Sequence, residues 1–399
     1  MFQPGLSEAS LGRRGHEDLA QALRALGHDF RLLTVGVKTW AEDSGFSVLP
    51  EPAWTRGLVA DLGAPLLRTR TLLASSLALA RYLRREGAKI DVLYTLLSYP
   101  HGTATALGIT WSGWKGSFVV MPAGEDLLVS EKANFGFRRY PAPRRLVGWT
   151  LRRADAICCQ SPALRDLVVR YRPTGVVHQI PENVAADVVT LANESAAERL
   201  VRRERSRRQI DREFGTGGAP IILALGRLHP VKGFDRLIDL LPRLPHRLII
   251  AGPSLEMRGV GDVAATLRAR ARQCGVDGRV VFAGAVPREQ SYELLAAADV
   301  LAIPSHCEGL PKVAIEAAAL GTPFVLTETC GIAAEFRGDL GRVVAHWNPA
   351  DFATALAAMV GVQPDRERAR TFVNRFSPER VASDLDRLLE EVAALRRPR

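Results

Sequence analysis

Short apolar runs rich in β-branched residues alternate with longer amphipathic helical patterns along most of the chain. This alternation is typical of parallel β-sheets that are covered by helices on both faces. In the first half, the predicted strands are 31–37, 91–97, 117–122, 156–161 and 176–181. In the second half, they are 221–226, 247–253, 280–286, 299–305, 323–328 and 341–345. Each half therefore has enough strands for its own doubly wound parallel α/β sheet.

The two series of strands are separated by a highly charged segment at 194–213. We therefore expect two Rossmann-like domains that face each other across a central cleft, with ligands bound beyond the carboxyl ends of the strands. The predicted organisation is an N-terminal domain at 1–190, a charged linker at 191–218, a C-terminal domain at 219–375 and a last helix at 376–399.

The start of the N-terminal domain departs from this pattern. Residues 17–28 show an amphipathic helical pattern that should follow a strand, but residues 1–16 show no strand pattern. We expect either that the first strand is absent or that translation starts upstream of Met1.

The charge balance and the cysteines restrict the function. The chain carries 53 Lys and Arg residues against 43 Asp and Glu residues, and this net charge of +10 favours an anionic partner. A nucleic acid is disfavoured because the linker arginines lack aromatic neighbours for base stacking.

The five cysteines contain no CxxC pair, which argues against a zinc site and a disulfide framework. With no apolar run of about 20 residues and no apolar signal region, we expect a cytoplasmic protein.

The segment at 304–323 carries the most specific pattern. A predicted strand ends there and a helix begins near Pro311, which suits a first helical turn because proline lacks an N–H. Gly309 lets a ligand approach the backbone, and the positive end of the helix dipole attracts phosphate. Glu316 lies about 7.5 Å further along the helix, where its carboxylate can hold the vicinal diol of a ribose. Glu308 stays in the loop, on the far side of the phosphates.

A second strand end passes into a helix at 225–241. Arg227 and Lys232 lie in this turn, and two cations there can neutralise a departing diphosphate. A metal ion is then not needed. The carboxylates of Asp384 and Asp386 are interpreted as part of a solvated helix face, because side chains at i and i+2 do not face each other.

Together these motifs resemble family 4 of the GT-B glycosyltransferases, the retaining kind that uses sugar nucleotides. The resemblance rests on Glu308 and Glu316 with seven residues between them, and on the Arg227 and Lys232 pair upstream. Further matching segments are 153–157, 180–183, 251–253, 282–286, 298–300, 321–323 and 376–381. The resemblance implies the GT-B fold, in which two Rossmann-like domains face a cleft.

The resemblance also implies a role for each matching residue. Arg227 and Lys232 match the residues that bind the donor diphosphate, and Glu316 matches the carboxylate that holds the nucleotide ribose. Glu308 matches the residue that contacts the transferred sugar, so the predicted catalytic residues are Glu308, Arg227 and Lys232. The predicted donor site also includes Gly226, Gly309, Leu310 and Pro311. The implied reaction uses a nucleotide-diphosphate sugar as co-substrate, with no metal and no other cofactor.

On the acceptor side the sequence departs from the family. Residues 10–12 read Ser-Leu-Gly where a Gly-Gly pair is common, and Ala123 stands where a histidine is common. His101, which follows the strand at 91–97, and His16 are the alternative acceptor-side residues. The acceptor itself is left open as a glycan, a lipid-linked molecule or a small molecule.

Two alternatives to a hexosyltransferase stay open. The altered first loop and Ala123 favour a nucleotide-sugar-binding protein with weak catalysis. A nucleotide-sugar epimerase on the same fold is the other alternative.

Residues 135–155 hold six arginines interleaved with aromatic and aliphatic residues. This composition suits a helix at the surface of an anionic membrane, which would place the protein peripherally on the inner membrane face. It equally suits a helix of the N-terminal domain that has a solvated basic face and an apolar face toward the core.

Overall fold

The computed structural model describes residues 13–35, 46–49, 69–254, 256–257, 261–335 and 340–396. Within these residues the helices are α1 (Arg13–Ala25), α2 (Thr69–Glu86), α3 (Thr103–Ser112), α4 (Pro141–Arg153), α5 (Pro162–Val169), α6 (Ala186–Ala192), α7 (Ala196–Phe214), α8 (Phe234–Leu240), α9 (Val263–Gln273), α10 (Arg288–Ala297), α11 (Lys312–Leu320), α12 (Pro349–Met359), α13 (Arg366–Asn374) and α14 (Pro378–Arg396). The strands are β1 (Leu32–Val35), β2 (Phe46–Leu49), β3 (Val92–Leu96), β4 (Ser117–Met121), β5 (Ala156–Cys159), β6 (Val176–Gln179), β7 (Ile221–Leu225), β8 (Arg247–Ala251), β9 (Glu256–Met257), β10 (Gly261–Asp262), β11 (Val280–Gly284), β12 (Val300–Ile303), β13 (Phe324–Thr327) and β14 (Gly341–Val344).

The contacts divide the chain into two compact units. Unit 1 comprises the residues up to Glu131, Phe135–Ala185 and the residues from Pro378 onwards. Unit 2 comprises Lys132–Asn134 and Ala186–Ser377. Each unit contains a parallel sheet, as the alternating pattern of strands and helices predicts.

In unit 1, the strands β3, β4, β5 and β6 form a parallel sheet in that order, and β1 pairs with β2 in parallel. Strand β4 is buried along its whole length, as is usual for a parallel strand with helices on both faces. Its residues alternate between two apolar layers. Val119 packs in the layer that contains Leu19 of α1 and Leu385 of α14, whereas Phe118 and Val120 pack in the layer that contains α4.

The prediction about a first strand concerns residues 1–12, which lie outside the described residues. Within the described part, α1 comes before β1 in the chain and packs against α14. The last helix, predicted at 376–399, therefore belongs to unit 1 although it follows unit 2 in the sequence.

In unit 2, six described strands form a parallel sheet in the order β11, β8, β7, β12, β13 and β14. Strand β7 lies inside the sheet, where Leu223 pairs with Ile249 of β8 and with Leu301 of β12. Within this sheet, the chain continues outward from β7 to β8 and then to β11. It then crosses to β12 on the other side of β7. In doubly wound sheets, ligands bind at the carboxyl ends of the strands where the order reverses in this way.

The segment predicted as a charged linker, residues 191–218, contains α7 and belongs to unit 2. Its Arg203 and Arg207 each donate to one carboxylate oxygen of Asp299 at 2.8 Å. Asp299 also accepts from the N–H of Ile221, the first residue of β7, at 2.8 Å. These arginines fix a helix against the amino edge of the unit 2 sheet, so this part of the segment is a packed element of the domain.

Candidate functional site

Two glycines follow the ends of neighbouring strands at the carboxyl edge of the unit 2 sheet. Gly226 follows β7 with φ +149°, and Gly252 follows β8 with φ +145°. The Gly226 N–H donates to the carbonyl of Ala251 at 2.9 Å. A Cβ atom on Gly252 would lie 1.9 Å from the Gly226 carbonyl oxygen, so a side chain does not fit there. The close approach of these two loops needs glycine.

Lys232 lies in a short 3-10 turn, Pro230–Lys232, between β7 and α8. Gly233 ends the turn with φ +65°, and a Cβ atom at this position would lie 2.4 Å from the carbonyl oxygen of Pro304. The turn is thus pressed against the residue that follows β12. This contact brings Lys232, which follows β7, close to the loop that carries Glu308.

Lys232 and Glu308 form an ion pair at this edge. The distance from Lys232 Nζ to Glu308 Oε2 is 2.7 Å, and 22% and 17% of the two side chains are exposed. The hydroxyl of Ser305 donates to the same Glu308 oxygen at 3.2 Å. The strand ends therefore bring Lys232 and Glu308 together in the fold, although the roles of these residues stay predictions.

The loop that carries Glu308 is fixed by the neighbouring loop after β13. The Glu308 N–H donates to the Thr329 carbonyl at 3.2 Å, and the Glu308 carbonyl accepts from the Gly331 N–H at 2.8 Å. The hydroxyls of Thr327 and Thr329 both donate to the Ser305 carbonyl, at 2.8 and 2.7 Å. The position of the carboxylate is thus determined by backbone contacts as well as by Lys232.

Sequence reasoning assigned no role to His306 or Arg236, yet both hold this loop. The N–H of His306 donates to the Val231 carbonyl at 2.7 Å. Arg236 donates to the Pro304 carbonyl at 3.0 Å, lies 2.8 Å from His306 Nδ1 and stacks 4.5 Å above the ring of Trp347. A single arginine in the helix after a glycine turn carries no local signal of such contacts.

Arg227 differs from Lys232 in its surroundings. Its side chain is exposed, and it makes no hydrogen bond or ion pair with the residues that the structure describes. The guanidinium lies close enough to His229 to help lower the pKa of that ring. An exposed cation beside a paired one can bind an anion without first breaking an ion pair.

Helix α11 begins directly after Pro311, near the position that the sequence pattern predicts. Pro311 is the N-cap residue, with φ −75° and ψ 86°, and the helix spans Lys312–Leu320. Gly309 and Leu310 are buried in the loop before it. Proline at the cap still removes a donor that has no partner inside the helix, so the physical reason behind the prediction holds.

Glu316 lies in the second turn of α11 and is partly exposed. Burial raises the pKa of its carboxyl, although nearby Arg288 and Lys312 oppose this. Arg288 also binds both carboxylate oxygens of Asp187, at 3.2 and 3.1 Å, and lies 2.6 Å from the Tyr292 hydroxyl. A carboxylate that is costly to ionise in the resting site gains from partners such as the two hydroxyls of a ribose.

In unit 1, both predicted acceptor-side histidines lie at the carboxyl edge of the sheet. His101 is in the segment directly after β3 and is half-buried. His16 is 5% exposed on α1 and lines a small cavity with Leu96 and Met121, the last residues of β3 and β4. The loop comparison at residues 10–12 lies outside the described residues.

Asp126 is a buried carboxylate at the same edge that the sequence reasoning missed. It accepts from the N–H and the hydroxyl of Ser98, at 2.5 and 2.6 Å, and from the N–H of Ala123 at 2.9 Å. Burial raises its pKa, and these hydrogen bonds oppose the rise. Asp126 thereby joins the loops after β3 and β4.

In the basic segment at 135–155, the α-helix spans Pro141–Arg153 and follows a short 3-10 turn at Phe137–Arg139. Val147 and Leu151 of this helix are fully buried in the unit 1 core, so its apolar face is not available to a membrane. Two of the six arginines are engaged before the helix starts. Arg138 donates to the Leu127 carbonyl, and Arg139 pairs with Glu131 at 3.0 Å. The exposed cations that remain at the helix start are Arg144 and Arg145.

No cluster of three or more His, Cys, Asp or Glu side chains suited to a metal ion occurs within the described ranges. Asp384 pairs with Arg380 and Arg387, and Asp386 lies 2.7 Å from His28 Nε2. In the same part of the chain, none of the helices combines the length and the apolar character that a membrane span needs.

Two family models match the chain along most of its length. One, described as glycosyl transferase 4-like domain, matches residues 13–182, and the other, described as glycosyl transferases group 1, matches residues 206–376. The chain belongs to the GT4-type glycosyltransferases of the GT-B fold. The resemblance inferred from the Glu308, Glu316, Arg227 and Lys232 motifs is thus confirmed.

The curated relatives match only in part. D-inositol 3-phosphate glycosyltransferase of Nocardia farcinica is 37% identical over 162 residues, which are 38% of this chain and 35% of that protein. The enzyme of the same name from Xylanimonas cellulosilytica is 34% identical over 215 residues, 52% of this chain and 49% of that protein. The lipopolysaccharide core biosynthesis glycosyltransferase LpsE of Rhizobium meliloti is 29% identical over 275 residues, 67% of this chain and 73% of that protein. The chain therefore spans half or less of the length of the first two.

Solved structures confirm the fold prediction. Sucrose-phosphate synthase from Thermosynechococcus elongatus superposes with a TM-score of 0.72 at 20% identity, over 94% of this chain and 92% of that one. Anabaena HepE in complex with UDP-glucose gives a TM-score of 0.72 at 15% identity, over 98% and 99%. At these identities the likeness shows the GT-B architecture alone.

Proposed function

We propose that the protein transfers a hexosyl group from a nucleotide-diphosphate sugar to an acceptor, with retention of configuration at the anomeric carbon. The observation that carries this proposal is the Lys232–Glu308 ion pair at the carboxyl ends of β7 and β12, with exposed Arg227 beside it. In a chain of this family, this arrangement suits the departure of a diphosphate from a sugar. Lys232 and Glu308 are held in place where the strand order reverses, and Arg227 is an exposed cation.

In the proposed reaction, the bond between the anomeric carbon and the diphosphate oxygen breaks, and the electron pair stays on that oxygen. Arg227 and Lys232 stabilise the charge of the leaving diphosphate, so that no metal and no other cofactor is required. Glu308 contacts the transferred sugar. The acceptor oxygen bonds to the anomeric carbon on the same face, and its proton passes to the leaving phosphate.

Glu316 and the start of α11 are proposed to hold the rest of the donor. The carboxylate binds the two hydroxyls of the ribose, and these hydroxyl donors offset the cost of ionising a partly desolvated carboxyl. Gly226 and Gly309 let the phosphates approach the backbone. Because HepE has been solved with UDP-glucose, we take uridine diphosphate as the first nucleotide to test.

We infer that unit 1 supplies the acceptor site, with His16 and His101 at the carboxyl edge of its sheet. A glycan, a lipid-linked molecule or a small molecule is the proposed acceptor class. The names of the relatives, which refer to inositol 3-phosphate and to lipopolysaccharide core, are consistent with acceptors of these kinds. The proposed location is the cytoplasm, with peripheral binding to the anionic inner membrane face through Arg144 and Arg145.

A donor screen tests the proposal. Thermal unfolding is recorded with UDP-, GDP- and ADP-sugars, and the donor that stabilises the protein is then incubated with candidate acceptors. Proton NMR of the product should show the anomeric configuration of the donor, and Lys232→Ala should abolish most of the transfer. Inversion at the anomeric carbon would contradict the mechanism. Conversion of the donor to another sugar nucleotide without an acceptor would favour the epimerase, and donor binding without any reaction would favour the binding protein.

A further inference from the structure

A histidine that the proposed reaction does not use caps the turn that carries Lys232. His229 lies directly before Pro230–Lys232, and its ring Nδ1 accepts a hydrogen bond from the Val231 N–H at 3.0 Å. The His229 carbonyl accepts from the Lys232 N–H at 2.9 Å. Because proline has no N–H, one residue thus provides the partner for each backbone donor of the turn.

The other side of the turn is held by the loop after β12. The Val231 carbonyl accepts from the His306 N–H at 2.7 Å, and Val231 itself is buried. Gly233 packs against the Pro304 carbonyl, where no Cβ atom fits. The His229 cap holds the backbone N–H groups of Val231 and Lys232 on the opposite side.

The cap determines the protonation state of the ring. A hydrogen bond from Val231 to Nδ1 requires that Nδ1 carries no proton, so the neutral ring has its proton on Nε2. Burial, together with the charges of Arg227 and Lys232, lowers the pKa of His229 to about 4. The ring is therefore neutral at physiological pH. Protonation of Nδ1 would set one N–H against another and add a third positive charge to this turn.

We propose that His229 is a positioning residue, which fixes the Pro230–Lys232 turn through its Nδ1 and thereby holds Lys232 at the diphosphate site. The inference rests on the proposed function of Lys232 as a ligand of the diphosphate. When the cap is lost, the turn can adopt other conformations and Lys232 spends less time at the diphosphate site. The effect should therefore appear in the affinity for the nucleoside diphosphate.

Two substitutions separate the cap from the rest of the ring. His229→Asn keeps an acceptor close to the position of Nδ1, because asparagine accepts backbone N–H bonds at such turns. His229→Gln places its amide one bond further out, beyond the cap position. Binding is measured by calorimetry with whichever of UDP, GDP and ADP the wild-type protein binds most tightly. We expect about tenfold weaker binding for His229→Gln and less than about threefold for His229→Asn.

Two controls make the result specific. Lys232→Ala tests the proposed function, and His246→Gln replaces another buried histidine of unit 2, 4% exposed and next to the start of β8 at the opposite edge of the sheet. His246→Gln should change thermal stability but not nucleotide affinity. Nitrogen-15 NMR of the wild-type ring should show an unprotonated Nδ1 and a protonated Nε2.

The outcomes distinguish the proposed function of Lys232 from the positioning role of His229. If Lys232→Ala leaves nucleotide binding unchanged, the proposed function of Lys232 is wrong. If Lys232→Ala weakens binding but His229→Gln does not, or if Asn and Gln at position 229 weaken it equally, the positioning role of His229 is overturned. A protonated Nδ1 in the NMR spectrum at neutral pH overturns it as well.

Discussion

The substitution Glu308→Gln removes the negative charge that holds Lys232 in the resting site. The two charged atoms lie 2.7 Å apart, and both side chains are about one-fifth exposed. Two unit charges at this distance attract by about 6 kcal/mol at an effective dielectric constant of about 20, but lost hydration offsets most of this attraction. A hydrogen bond between charged groups contributes about 1.5 to 3 kcal/mol net, and partial exposure reduces that value. We therefore expect the free energy of unfolding to fall by roughly 1 to 2 kcal/mol.

The same change should tighten the binding of the diphosphate. In the resting site the Glu308 carboxylate competes with phosphate oxygens for the Lys232 ammonium group, and a neutral amide competes less. A gain of about 1 kcal/mol on binding corresponds to about fivefold higher affinity for UDP. Turnover should nevertheless fall by about 10² or more, because the amide does not stabilise the positive charge that develops on the transferred sugar.

Three measurements check this prediction: calorimetric titration with UDP, the rate of sugar transfer and the thermal unfolding midpoint, which should fall by about 2 to 4 °C per kcal/mol. Glu194→Gln is the matched control. Glu194 pairs with Arg202 of α7, and 16% and 27% of these two side chains are exposed, much as in the Lys232–Glu308 pair. The control should lose comparable stability while its UDP affinity and turnover stay unchanged.

Two results would refute the reasoning. Weaker UDP binding in Glu308→Gln, with the control unchanged, would mean that the carboxylate supports the phosphate site instead of competing with it. Unchanged turnover in Glu308→Gln would remove Glu308 from the reaction.

Three further predictions concern the cations and the membrane. Arg227→Ala should lower turnover by about 10² to 10³, because the exposed guanidinium stabilises the leaving diphosphate, and should leave the KM for the acceptor unchanged; an unaltered kcat contradicts this role. Transfer should survive excess EDTA, since Arg227 and Lys232 take the place of a metal, and a loss restored by magnesium or manganese would overturn it. The protein should float with anionic liposomes at low salt, and replacing Arg144 and Arg145 by Gln should weaken this binding by about 2 kcal/mol without changing UDP affinity. If the wild-type protein does not float under these conditions, a soluble acceptor is the better proposal.

Local patterns in the sequence predicted most of what lies within one strand, loop and helix. The alternation of apolar runs and helical patterns predicted parallel sheets, and the doubly wound fold is confirmed. The segment around Glu308 shows the same property, because its strand end, its glycine and its proline each act on neighbouring residues only. The chemical types of the candidate site could be named for this reason, together with the family to which they belong.

Contacts between distant segments were decided by the tertiary structure. Lys232 and Glu308 are 76 residues apart in sequence, and they meet because β7 and β12 are neighbours in the sheet. The strand order and register that create this contact depend on the packing of the whole unit. No local pattern contains that information.

The arginines give a second example of what a local sequence pattern does not contain. Charge alone does not distinguish Arg144 and Arg145, which are exposed, from Arg139, which is paired with Glu131. Residues 191–218 are likewise predicted as a charged linker, whereas Arg203 in this segment is bound to Asp299. The sequence by itself determined which residues carry charge, and the tertiary structure decided which of those charges are already neutralised by a partner, because an ion pair requires two side chains that the fold brings within a few ångströms.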